Sequence, residues 1–274
     1  MEPKYPYIVE KYLDLGRFCR SELIPRDTGE KIREALLKYK ACHAGVSRCI
    51  KASRFVGDDL FGTVFNNNAV EKIRRRAKGI IKREILGSKK RPSPAKAEGR
   101  EIKRFLSAVT PKGIVFFGDT VTELCSRIYE INDTYGLSHF MLSAIKNASI
   151  SAGFDVFACY CPLNPENKLD HLLIPALSLG FITVHSNFGS VSSPYRRIHL
   201  DSYLDAKTLR NNRQRLKFMR RTSASLLDEA IDDLRDAKAL HDEIEALYNP
   251  AIDFDGLYDL AHTLGKDLLG RYGQ

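Results

Sequence analysis

Apolar and small residues recur every three or four positions from Asp27 onward, at Ile32, Ala35, Leu36, Tyr39, Cys42, Val46, Cys49, Ile50, Ser53, Val56 and Leu60. That period predicts one long amphipathic helix, or two in succession broken near Gly45. The Asn66-Asn67-Asn68 run interrupts it, because asparagine suits turn geometries and caps a following helix. A shorter helix is predicted through Val70, Ile73, Ala77, Ile81 and Ile85, stopping near Gly87. Ser88 to Gly99 holds prolines and lysines without apolar periodicity and reads as a surface linker.

The pattern changes beyond it. Phe105 to Gly113 and Ile114 to Phe117 lead into a predicted short helix at Val121 to Ser126, followed by a strand (Arg127 to Ile131), a loop and a helix (Phe140 to Ala152). A strand (Asp155 to Cys161), a loop and a further strand (Ser178 to Val184) come next, so alternating elements predict βαβ units and a mostly parallel sheet. After a polar stretch, Val191 to Ser202, the helical period returns from Leu204 to Leu247 as one long helix or a pair. Tyr248-Asn249-Pro250 ends it, and a short helix resumes through Phe254, Leu257, Leu260, Leu264 and Leu268. The expected organisation is a helical region with a basic linker (1–104), an α/β core (105–203) and a C-terminal helical hairpin packing on the core (204–274). The two ends also align: pairing Phe65 with Tyr248 and Asn66 with Asn249 brings Ala77 onto Leu260, Ile81 onto Leu264 and Gly87 onto Gly270. Such a repeat implies a duplicated unit whose first α/β core has been lost.

At 43% hydrophobic residues in 274, the chain has material for an ordinary core. The start, Met-Glu-Pro-Lys-Tyr-Pro-Tyr, has no apolar signal region and no later run is suited to cross a bilayer, so the expected location is the cytoplasm and no membrane partner is foreseen. Six scattered cysteines read as reduced thiols. The net charge of +9 makes contact with polyanions a candidate property. Basic residues concentrate in Arg74 to Arg104 and Arg196 to Arg221, while Asp228 to Asp259 is acidic.

Phe105 to Gly113, Arg127 to Leu142, Gly153 to Val156 with Cys159 to Glu166, His171 to Leu177 and Ala237 to Asp242 together resemble an uncharacterised bacterial family of P-loop ATPase-like proteins with two NTPase-like halves in tandem. The likeness covers the last two-thirds of the chain, as the second half of such a protein. It implies a P-loop NTPase-like sheet and a phosphate loop of the form G-x-x-x-x-G-K-[ST] at Asp133, Thr134, Tyr135, Gly136, Leu137, Ser138 and His139. Neither possible register keeps the lysine. With His139 in its place, Asp133, Ser138 and Phe140 replace the two glycines and the hydroxyl; with Leu137, Gly136 and Ser138 survive but Ile131 stands for the first glycine. Lys146, two turns into the helix, is expected to point away, and an acidic Asp133 opposes a phosphate. No magnesium-holding carboxylate follows the strand Leu179 to Val184; its end offers Thr183, His185 and Ser186 instead. The resemblance therefore implies a vestigial phosphate loop without catalytic residues, with ATP and magnesium weakly bound or lost. It points to a non-hydrolysing regulatory or scaffolding relative that pairs with an intact paralogous ATPase or with itself.

Rival readings rest on other residues. Cys159, Cys161, His171 and His185 are zinc-ligand types, but two cysteines at i and i+2 of a strand share one face and read as core. Ser138-His139 and Asp170-His171 contain triad residue types without a nucleophile elbow. Arg213, Arg215, Arg220 and Arg221 could contact nucleic acid with Tyr195, His199 and Phe218 stacking on bases, or form a solvated face. A third reading is an ATP-binding protein with an atypical phosphate loop.

Overall fold

The computed structural model describes residues 12–88, 98–185 and 193–272, the side chains of 271 and 272 excepted. Most of the expected 88–99 linker, and Ser186, lie outside the described residues. The chain forms two compact units, one from 1–43 with 236–274 and one from 44–235.

α1 (Arg26–Val64) is a single helix that runs on through Gly45. The glycine there answers a packing need: a Cβ would lie 2.1 Å from Oδ2 of Asp233 on α6 (Arg213–Tyr248). The Asn66 side chain accepts from the Asn68 amide and caps α2 (Asn67–Ile80), whose buried face is Val70, Ile73, Ala77 and Ile80. α2 then passes into a π-helical turn, Ile81–Leu86.

In the larger unit, β1 (Glu101–Arg104), a hairpin of β2 (Ser107–Thr110) and β3 (Gly113–Phe116), and α3 (Gly118–Leu124) precede β4 (Arg127–Asn132) and α4 (Ser138–Ser151). β5 (Val156–Cys161), β6 (Asn164–Ile174), β7 (Leu179–Val184) and β8 (Arg196–His199) complete the strands, and α5 (Ala206–Asn211) leads to α6. The six-stranded sheet has the order β1-β5-β6-β7-β4-β8. β6 is antiparallel to both neighbours, and the remaining pairs are parallel. The fold is therefore α/β, a mostly parallel sheet with flanking helices. One apolar cluster joins α2, α4 and a sheet face through Ile73, Met141, Ile145, Leu172 and Phe181; a smaller one, with Val121, Ile128, Leu173 and Ile182, covers the other face.

Three elements depart from the sequence pattern. β1 falls within the 1–104 stretch expected to be helical, yet it pairs with β5 at the edge of the sheet. β6 occupies what reads as a loop, because its first half, Asn164 to Lys168, is polar and contains Pro165, while Leu169 to Ile174 is buried. β8 lies within the polar 191–202 stretch, a four-residue strand in which Ile198 alone is buried.

In the smaller unit, Cys19 bridges to Ile252, Arg20 pairs with Asp253 at 3.2 Å, and α7 (Phe254–Tyr272) follows.

Candidate functional site

β4 is flanked by β7 and β8, so the loop at its C-terminal end emerges from inside the sheet and turns directly into α4. Gly136, at φ +87°, makes the turn in a conformation that costs an L residue about 1 kcal/mol or more. Such a loop is built to hold an anion, since its amides and the helix N-terminus converge.

The anion here is the loop's own. Oδ1 of Asp133 accepts the Tyr135 amide at 3.2 Å and the Gly136 amide at 2.9 Å, and Oδ2 accepts the Ser138 amide at 2.6 Å. Asp133 is 1% exposed. Asp201 completes the arrangement, accepting the Thr134 amide at 3.0 Å and its hydroxyl at 2.5 Å. Carboxylates thus take the donors that a phosphate would need. The residues at the two possible lysine positions supply no cation: Leu137 is fully buried in the apolar cluster, and burial lowers the pKa of His139, whose ring lies tilted against Phe140 with Nδ1 3.0 Å from the Gly136 carbonyl. Lys146 does point elsewhere, donating to Glu101 at 2.8 Å.

A cation reaches the loop from β6 instead. The Nζ of Lys168 lies 3.9 Å from where a Cβ on Gly136 would stand. The β5–β6 ladder slips on either side of Tyr160, which pairs with Leu169, while Cys159 pairs with His171 and Asp170 is left as the extra residue. Bulges of this kind re-aim side chains beside functional sites. Here Asp170 comes 3.5 Å from Lys168 Nζ and 3.7 Å from His185 Nε2, and His185 donates through Nδ1 to the Asp133 carbonyl at 2.6 Å. Burial alone would raise the Asp170 pKa, but Lys168 and His185 hold it well below the usual carboxylate range. Burial likewise works against the Lys168 charge, yet Asp170 keeps its pKa above normal. Oγ of Ser138 and Oγ1 of Thr183 are buried and have no hydrogen-bond partner among the described residues. Polarity and Pro165 hide β6 in the sequence, and with it Lys168; Asp170 is noted there as a triad residue type, but not as the partner of this lysine.

A cavity of about 310 Å³ opens beside this group, between Tyr135, Gly136, Lys168 and His185 on one side and Arg54 and Phe61 on the other. Cys161 lines it, because the register shift turns Cys161 to the face opposite Cys159. The expectation that both cysteines share one face therefore fails. His171 also faces the Cys159 side, its ring 5.5 Å from Phe116, so the four zinc-type residues do not converge. Burial raises the Cys161 pKa to about 12 and leaves a thiol in place of a nucleophilic thiolate. Nδ1 of His171 accepts the Thr183 amide at 3.2 Å, and burial lowers this histidine to about 4.

No protein-family model matches the chain, and neither does any curated protein or solved structure.

The remaining candidates lie on α6. Arg213, Arg215, Arg220 and Arg221 are all exposed, but Arg215 is 3.0 Å from Asp59 and spends its charge there. At 100° per residue Arg215 points nearly opposite to Arg213, so the four do not form one face. No helix among the described residues is long and apolar enough to cross a membrane.

Proposed function

We propose that this chain is a P-loop NTPase-like α/β protein that has lost ATP hydrolysis and acts as a regulatory or scaffolding relative, in the manner of the second half of a tandem ATPase-like protein. The observation that carries the reading is the Asp133 carboxylate seated on three loop amides. Phosphoryl transfer depends on positioning and charge, and a carboxylate in the phosphate position repels the substrate where it must be held. Lys168 does not reverse this balance, since Asp170 already neutralises it. The partner under this reading is an ATPase with an intact loop, or a second copy of the chain. Calorimetry with ATP and magnesium, run beside a phosphate-release assay, is expected to give neither binding heat nor release. Phosphate release that Lys168→Met abolishes would overturn the proposal.

One observation favours a second reading, an ATP-binding protein with an atypical loop: a lysine stands over Gly136 although it comes from another strand. That reading predicts ATP binding without turnover, lost in Lys168→Met, and the same titration separates the two.

A further inference from the structure

A second cationic surface starts at the opposite end of β4 from the loop. The π-helical turn after α2 brings Glu84 inward, to 3% side-chain exposure. Such turns are rare and often mark functional positions. Oε1 of Glu84 accepts from Tyr129 Oη at 2.6 Å and from Arg83 Nε at 2.7 Å, and Oε2 accepts from Arg127 Nη1 at 2.7 Å. Arg83 Nη2 also donates to the Tyr129 hydroxyl at 2.8 Å. Burial would raise the Glu84 pKa, but these donors and the Arg127 charge lower it, so the carboxylate stays ionised beneath the two arginines. Their side chains are 44% and 41% exposed, held in place and open to solvent.

The surface extends in both directions from this pair. Arg83 shares a groove of about 360 Å³ with Lys72, Arg75 and Arg76, closed on one side by Tyr203. Arg127 lies 6.0 Å from the centre of the Tyr195 ring, and Arg196 lies 5.3 Å from the same ring, which is 46% exposed. The acids on these elements are engaged elsewhere: Glu71 pairs with Arg74 and Glu130 with Arg197.

We propose that this track binds the phosphodiester backbone of single-stranded nucleic acid, with Tyr195 stacking on a base and no base order being read. The cations from Lys72 to Arg83 alone extend over about 16 Å of helix, far more than one phosphate needs. An exposed ring between two guanidinium groups suits an unpaired base, which duplex DNA does not offer. The contact thereby moves from Arg213–Arg221 to a different surface.

Fluorescence anisotropy with a labelled oligodeoxythymidylate and the full chain tests it. Six cations, Lys72, Arg75, Arg76, Arg83, Arg127 and Arg196, predict that log affinity falls with log salt at a slope of about −4, so a fourfold rise in salt weakens binding roughly 250-fold. Combined Lys72→Gln, Arg75→Gln and Arg76→Gln, which leave the Glu84 network intact, should bring the slope to about −2. Tyr195→Ala should weaken binding about tenfold at an unchanged slope, Tyr195→Phe should not, and Arg215→Gln should have no effect. The proposal is overturned if the strand is not bound at low salt, if the triple variant keeps the wild-type slope, if a duplex of equal length binds as well, or if vesicles of anionic lipid bind and the oligonucleotide does not.

Discussion

Asp133 and Glu84 are both carboxylates buried in the α/β unit, but Asp133 is surrounded by backbone amides and Glu84 by guanidinium groups. The first fills a hole that the strand, turn and helix make for an anion, and so closes it. The second stays beneath the surface and holds positive charge outward. The loop that has the form of an anion site has its amides satisfied from within, while the cations held toward solvent stand at the other end of the same strand.

Several changes would break or sharpen this contrast. The largest response should be to acid, and it comes from the sheet face on the Cys159 side, behind the sealed loop. His171, buried and held neutral near pKa 4, binds its proton in the unfolded chain at about 6.5, so the unfolded state carries more protons between these values. Stability should rise with pH across that window, by up to about 3 kcal/mol, and be lost as pH falls from 6.5 to 4. Urea titrations at several pH values check this, and His171→Asn should flatten the dependence. Asp133→Ala leaves three amides without their acceptor and should cost about 3 kcal/mol in the same assay. If instead the variant is as stable as the wild type, the carboxylate is not what the loop is folded around. On the open side, Glu84→Gln keeps the shape but removes the charge under Arg83 and Arg127, at a cost of about 2 kcal/mol since both partners reach solvent. It should also weaken oligonucleotide binding by loosening the two arginines. Gly136→Ala should cost about 1 kcal/mol through its positive φ, with Lys168 at ordinary contact distance adding little.

Much of this contrast was legible before the fold, and its most informative residues were not. The three-to-four period marks α1, α2, α4 and α6, and the apolar run around Tyr129 and the later one around Phe181 mark β4 and β7, because those elements bury a regular face. The opposition of Asp133 to a phosphate follows from its charge and place in the chain. That it sits on the amides does not, since this depends on the path of the loop. Lys168, and the pairing of Asp170 with it, were hidden twice, by the polar start of β6 and by register slips that no alternation of residue types records. Glu84 looks like one more charge on a helix surface. Only the π-helical turn places it inside, against Tyr129 on β4, and local periodicity carries no sign of that long-range contact.

The proposed loss of ATP binding rests on the Asp133 carboxylate holding the three loop amides. Titration of the wild type and of Asp133→Gly with ATP and magnesium, by calorimetry, tests it most directly, with thermal melts confirming that both are folded. The wild type should not bind, whereas Asp133→Gly should bind measurably, because its Tyr135, Gly136 and Ser138 amides are released beside Lys168. Binding by the wild type that Asp133→Gly leaves unchanged would contradict it.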